Sequence, residues 1–316
     1  MTGATLTVLV HSSRLHEAWD VILRDPEIAG RAEVHPIEGV AQALARLRTR
    51  PPGVVVAAGG DGTINMVVTA LWRLEAKSQP LAVLPLGTGN AFAHALGLGS
   101  CGVALRTLRA GHERSLDLMV TNRSEPEVAV LSVSTGFESR FLTTWNRLRT
   151  RGRFGALLEP ARQSLRGPAP RVAITLDGRP LELPPTVWNA GLYNLTHYGF
   201  GRRVFPEADP GDGEAEAVVW TSSQAYWRSL VGGVPRGLDS HGVRQGRWRR
   251  ASLVSDQPIQ VDGEAWPAGA LELRLESGWL RCLGPVSMSE PTHRTGARRS
   301  ARPGSEPADP VPRPRA

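Results

Sequence analysis

Between Val54 and Leu98 the chain uses one device twice: a short apolar run, a glycine-rich turn, then a segment with helical spacing. Val54-Val55-Val56-Ala57-Ala58 runs into Gly59-Gly60-Asp61-Gly62-Thr63, and Leu81-Ala82-Val83-Leu84 runs into Leu86-Gly87-Thr88-Gly89-Asn90. Short apolar runs bounded by turn residues suit buried strands of a parallel sheet. Ligands of open α/β sheets bind at the carboxyl ends of such strands, where both turns fall. The turns begin 28 residues apart, enough for a helix and an adjacent strand. Glycine lets backbone approach a ligand closely, and N–H groups at a loop-to-helix junction attract anions. Gly59, Gly60, Gly62 and Thr63 are therefore expected to cradle phosphates, with Gly87, Thr88, Gly89 and Asn90 completing the site. Asp61 suits holding a cation or orienting a hydroxyl, and Asn65 lies on the first turn of the following helix.

Thr5–Val10 reads as a first strand, Leu15–Leu23 as a helix capped by Ser12 or Ser13, and Arg31–His35 as a second strand. Gly39–Arg48 reads as a helix with Val40, Ala43, Leu44 and Leu47 on one face. Past Gly102–Arg109, another helix, alternation replaces helical spacing, as in an antiparallel β region. Leu271–Leu275 and Trp279–Leu283 read as two final strands. The 316 residues exceed one typical domain. No apolar run reaches membrane-spanning length, no signal peptide is legible, and two cysteines exclude a disulfide scaffold. The expectation is a cytoplasmic protein, peripheral on a membrane at most. Net charge is +7, about +3 of it in the Arg- and Pro-rich stretch after residue 285. That excess suits an anionic surface or a nucleotide. No nucleic-acid partner is expected, and homodimer formation is left open.

Two later stretches carry carboxylates. Tyr198–Trp220 holds Gly199 and Gly201, Pro206-Glu207-Ala208, and Asp212-Gly213; Asp209, Asp212 and Glu214 offer oxygen ligands of the kind Mg²⁺ prefers. Ile259–Ala265 reads IQVDGEA, where Asp262 and Glu264 share a face of a regular strand unless Gly263 turns a hairpin. Arg140, Arg147, Arg149, Arg151 and Arg153 alternate with Phe141, Leu142, Trp145, Leu148 and Phe154 on the segment after Gly136-Phe137, a pattern suited to an interfacial surface or to a solvated helix.

Together GGDGT, the following Asn65, LPLGTGNAFAHALG, the Arg114–Leu118 strand with its Asp117, and DGE resemble the catalytic region shared by diacylglycerol kinases, sphingosine and ceramide kinases and bacterial lipid kinases. NAD kinases share the first turn and a related fold but not the second turn. The resemblance implies an α/β fold: an NAD-kinase-like doubly wound N-terminal domain (residues 1–115) and a mostly antiparallel β C-terminal domain (116–285) with a helical insert at 138–166. Residues 286–316 read as a disordered tail. It implies ATP-dependent phosphorylation of a hydroxyl of diacylglycerol or a related lipid alcohol at a membrane surface, with Mg²⁺. Asp61, Asp262 and Glu264 become the catalytic candidates, either Asp262 or Glu264 taking the hydroxyl proton, and Asp209 and Asp212 the metal ligands. Removing the Asp61 carboxylate is expected to abolish transfer and spare the fold. The family's Asn-Pro loop after the first strand is replaced by His11-Ser12-Ser13-Arg14, and the Thr before the second helix is missing. A non-catalytic nucleotide- or lipid-binding relative is therefore the alternative, with NAD kinase a third.

Overall fold

The computed structural model describes residues 4–50, 53–148, 162, 167–198, 201–234 and 242–285. The expected tail, Gly199 and most of the expected insert, with Arg149, Arg151, Arg153 and Phe154, lie outside the described residues. Four parallel strands open the chain in the spatial order Ala32–Ile37, Thr5–His11, Gly53–Gly59, Pro80–Pro85. Successive side chains point to opposite faces, and both faces are apolar. Leu9, Val55, Ala57, Leu81 and Val83 meet the helices Val40–Thr49 and Asp61–Arg73. Leu6, Val8, Val54, Val56, Ala82 and Leu84 meet Leu15–Ile22 and Cys101–Ala110. This is the doubly wound arrangement that the apolar runs imply.

The last strand, Gly269–Leu283, returns to this sheet. It pairs in parallel with Pro80–Pro85 through Arg281 and Cys282, and antiparallel with Glu113–Thr121 and Arg250–Ser255. The result is a ten-stranded sheet whose later strands are antiparallel. Where two strands were expected there is one, with a register shift between Glu276 and Leu280. Gly278 sits there at φ 59, and its N–H donates to Asp117 Oδ1 at 2.7 Å. The polar Ser277-Gly278 that reads as a turn is thus a bulge pinned by a buried carboxylate.

A second, six-stranded antiparallel sheet runs Val243–Trp248, Ala215–Trp220, Asn189–Tyr193, Ser132–Gly136, Ile259–Val261, Glu264–Trp266. It packs on the first through Val133, Leu192, Ala217, Val219 and Ile259 against Met119, Leu253, Leu271 and Leu273. Its other face carries the helices Phe137–Leu148 and Ser223–Gly232. The second of these helices went unread in the sequence, although Ser222 caps it by accepting from Ala225 N at 3.2 Å. At the other end of the molecule, His11 rather than a serine caps the turn at Ser12–Arg14, its Nδ1 accepting from Ser13 N.

Candidate functional site

The strands Gly53–Gly59 and Pro80–Pro85 are neighbours with Gly59 opposite Pro85, so both glycine turns leave the same edge side by side. The turns touch. A Cβ on Gly87 would stand 2.4 Å from Gly60 Cα, and one on Gly59 would stand 2.3 Å from Thr63 Oγ1. Gly59, Gly60 and Gly87 are therefore required by packing inside the protein. Gly62 and Gly89 are different. A Cβ on Gly62 would meet nothing within 4 Å, and one on Gly89 only Asp61 Oδ2 at 3.5 Å. These two leave backbone facing open space at the start of the Asp61–Arg73 helix, whose N-terminal dipole favours an anion. Thr88 is exposed beside them, whereas Thr63 is buried with its N–H donating to Gly60 O.

Asp61 braces one turn against the other. Its carboxylate accepts from Ala91 N at 3.1 Å and Phe92 N at 3.0 Å, so it caps the short helix Ala91–Ala95 from 30 residues away. Burial raises its pKa, offset by those two amides and by His94. Removal of this carboxylate will therefore disturb the fold, contrary to the expectation from sequence. Asn90 sits at φ 47 and closes its own turn, accepting from Gly87 N at 2.9 Å and donating to Gly87 O at 2.7 Å.

Asn65 reaches the opposite lobe. Its Nδ2 donates to Asp262 Oδ2 at 2.7 Å, across 197 residues of chain. Asp262 (φ 48) and Gly263 (φ 94) form the tight hairpin between Ile259–Val261 and Glu264–Trp266, with both central residues left-handed as a type I′ turn requires. The Asp262 carboxylate also accepts from Val130 N at 2.6 Å, Leu131 N at 2.8 Å and Ser132 N at 3.0 Å. With Asn65 these fill the roughly four lone-pair positions of a carboxylate. Burial raises its pKa against these donors. Glu264, two residues on, is exposed. The helix that follows the first glycine turn thus meets the Asp262 hairpin through Asn65, and Glu264 is the exposed residue just past that hairpin.

The model of the diacylglycerol kinase catalytic domain matches residues 12–121. Over those residues the chain is similar to lipid kinases that carry this domain. The match spans both glycine turns and ends at Thr121, before Asp262. Lipid kinase YegS of Escherichia coli K12 is 26% identical over 247 residues, covering 73% of this chain and 78% of that protein. YegS of Escherichia fergusonii is 26% identical over 282 residues, covering 84% and 89%. In the fold, a candidate diacylglycerol kinase from Bacillus anthracis str. Sterne superposes with a TM-score of 0.73 at 18% identity, covering 91% of this chain and 97% of that one. A further diacylglycerol kinase structure from that organism gives 0.65 at 16% identity, covering 90% and 98%.

The acidic loop is occupied by arginines. Asp209 Oδ1 lies 3.2 Å from Arg114, Asp212 Oδ2 2.5 Å from Arg247, and Glu214 contacts Arg247 and, at 3.3 Å, Arg249. Among the described residues no group of three or more His, Cys, Asp or Glu side chains is placed to hold a metal ion. With guanidinium groups on its carboxylates, this donor set does not fit the divalent cation expected at Asp209 and Asp212. The loop is instead tied down by Asp117, whose Oδ2 accepts from Gly213 N at 2.7 Å while Oδ1 holds Gly278.

Sequence reasoning missed one deeply buried carboxylate. Glu138, 4% exposed, accepts from Tyr226 Oη at 2.8 Å, Tyr193 Oη at 3.0 Å and the Ser134 hydroxyl. Gln260 Nε2 donates to Ser134 Oγ at 2.8 Å and Ser132 Oγ at 3.0 Å, and its Oε1 accepts from Gly263 N at 2.9 Å. A buried polar chain therefore runs from the Asp262 hairpin to Glu138. Burial raises the Glu138 pKa and pushes the tyrosines well above their ordinary range. The available signal was a lone acid two residues past Gly136 in a run of otherwise buried positions.

Proposed function

We propose that this protein transfers the γ-phosphoryl group of ATP to a hydroxyl of diacylglycerol or a related lipid alcohol, with Mg²⁺ as the nucleotide's counterion. The observation that carries this is the Asn65–Asp262 hydrogen bond, which sets the open glycine turn and the Asp262–Glu264 hairpin against each other. The triphosphate would lie over Gly62, Gly89 and Thr88, against the dipole of the Asp61–Arg73 helix. Asp61 keeps the two turns at fixed spacing, and Asn90 holds the second turn closed. The lipid oxygen bonds to the γ-phosphorus as the bond to the β,γ-bridging oxygen breaks, and ADP leaves. The hydroxyl proton passes to a carboxylate. Asp262 has its acceptor positions filled, so Glu264 is the assigned acceptor and Asp262 holds the hairpin that presents it. The fold carries no helix long and apolar enough to cross a membrane among the described residues.

The test is incubation of the protein with γ-labelled Mg·ATP and a total lipid extract, with labelled products identified by mass. The expected result is one labelled lipid, heavier than its parent alcohol by a phosphoryl group. Binding of Mg·ATP without any labelled lipid would favour a non-catalytic relative, and label appearing in added NAD would favour an NAD kinase.

A further inference from the structure

Among the described residues, four large hydrophobic side chains are exposed: Leu23, Trp227, Val231 and Val254. Two of them stand four residues apart on the Ser223–Gly232 helix, Trp227 at 46% and Val231 at 83% exposure. That spacing puts both on one helix face. The helix bears Arg228, also exposed, and no acidic residue. Trp227 is the near end of an aromatic row that continues along the neighbouring helix, Phe137–Leu148. Ring centroids run 5.8 Å from Trp227 to Phe137, 6.0 Å to Phe141 and 6.2 Å to Trp145. Phe141 and Trp145 are half-buried, so the row emerges at the surface.

The row has a basic edge directed toward the site. The hairpin formed by His197–Tyr198 and Arg202–Arg203 packs on the Ser223–Gly232 helix, with Val234 N donating to Val204 O at 2.7 Å just beyond it. Arg202 and Arg203 are exposed. The same hairpin lies on the second glycine turn. His197 stacks on His94 with centroids 6.1 Å apart, and a Cβ on Gly201 would stand 3.2 Å from Gly89 O.

We infer that the face made by Trp227, Val231, Phe141 and Trp145, edged by Arg202, Arg203 and Arg228, docks on an anionic phospholipid bilayer. The choice of a bilayer rests on the lipid kinase reading. Two properties of the face fit that partner. Aromatic rings with adjacent guanidinium groups suit the headgroup layer, where rings sit at the interface and cations meet anionic lipid. The hairpin also connects the face to the turn that would hold the transferable phosphate, so a docked protein meets its acceptor beside its donor. A protein partner would also accept an aromatic face but gives no reason for the basic edge to adjoin the phosphate turn.

The experiment is co-sedimentation of the full chain, without ATP, with vesicles of phosphatidylcholine alone or mixed equally with phosphatidylglycerol. The expected result is binding to the mixed vesicles at least tenfold tighter than to neutral ones, weakening with salt. Val231→Glu alters a side chain almost wholly in solvent and should weaken binding about tenfold. Arg202→Gln with Arg228→Gln should weaken it about 25-fold, at roughly fivefold per charge. Trp227→Ser with Val231→Ser should do the same while leaving phosphorylation of a short-chain, water-soluble diacylglycerol unchanged. Equal binding to neutral and anionic vesicles, or wild-type binding by Val231→Glu, overturns the inference. Because vesicle binding is read without nucleotide, a protein that docks but phosphorylates nothing would leave the docking face standing and remove the kinase reading instead.

Discussion

Two carboxylate clusters of this chain look alike as text and differ in the folded protein. Asp262 and Glu264 flank a glycine, as do Asp212 and Glu214. Asp262 is enclosed and accepts from three backbone amides and Asn65. Asp212 and Glu214 lie in an open loop against Arg247 and Arg249. In the first cluster Asp262 spends its charge on fixed donors, where an orphaned donor costs heavily, while Glu264 is exposed. The second faces mobile side chains in water, where an ion pair contributes little. The donor and its burial, rather than the acid and its neighbour, decide what an Asp-Gly pair is for.

The comparison breaks most visibly within the first cluster. Glu264→Gln should lower kcat about 10²- to 10⁴-fold, the span of general base removal, with an unchanged melting temperature. Unimpaired turnover would return the proton-accepting role to Asp262. Asp262→Ala leaves three backbone N–H groups unmet and should cost about 3–5 kcal/mol of stability, or roughly 10 °C in melting temperature. A melting temperature within 2 °C or so of wild type would show that water replaces those bonds. Asp61→Ala should cost less, about 1–2 kcal/mol, because its amides belong to one short helix. The conservative Asp61→Asn keeps one acceptor and separates bracing from chemistry: restored stability with lost turnover assigns the charge to the reaction.

Glu138 sharpens the comparison through pH. Its folded-state pKa is raised by burial, so the folded protein favours the protonated acid. The stability this contributes is fully present below the ordinary value of 4.5 and is lost as pH rises through the raised folded value. Wild type should therefore lose stability with rising pH across that window relative to Glu138→Gln, as measured by denaturant titration at a series of pH values. Parallel profiles would show that the tyrosine and serine hydroxyls hold the ionised form. The smallest effect belongs to the open loop: Asp209→Asn and Asp212→Asn should each change stability by about 0.5 kcal/mol or less, and leave the magnesium dependence of turnover unaltered. A shifted magnesium requirement would restore the loop as a metal site.

Much of the α/β half was legible because its signals are local. Val54–Ala58 and Leu81–Leu84 became strands within a residue or two of their apolar limits. The expected helices Gly39–Arg48 and Gly102–Arg109 lie within one residue of Val40–Thr49 and Cys101–Ala110. The hairpin at Asp262-Gly263 was visible in its turn chemistry. The glycine turns were recognised, but their five glycines divide between packing and open space, which spacing alone does not reveal. The Ser223–Gly232 helix passed unread because its apolar residues are split between a buried and an exposed face and form no single stripe, and Ser277-Gly278 separates two apolar runs because a bulge uses the same residues as a turn.

Residue periodicity and turn chemistry act over a few residues, so the amino-acid order by itself determined the strands, the glycine turns and the family they resemble. Partners are another matter. Asp61 finds Ala91 and Phe92 only where Gly53–Gly59 pairs with Pro80–Pro85, Asn65 finds Asp262 only where the hairpin of the second sheet meets the first helical layer, and Arg247 finds Asp212 and Glu214 only where Val243–Trp248 pairs with Ala215–Trp220, so each contact waits for the chain to close on itself. Which carboxylate is sheathed in amides, which meets a guanidinium and which stays open to a substrate is a property of that closure, because burial and donor geometry exist only once distant segments share a surface.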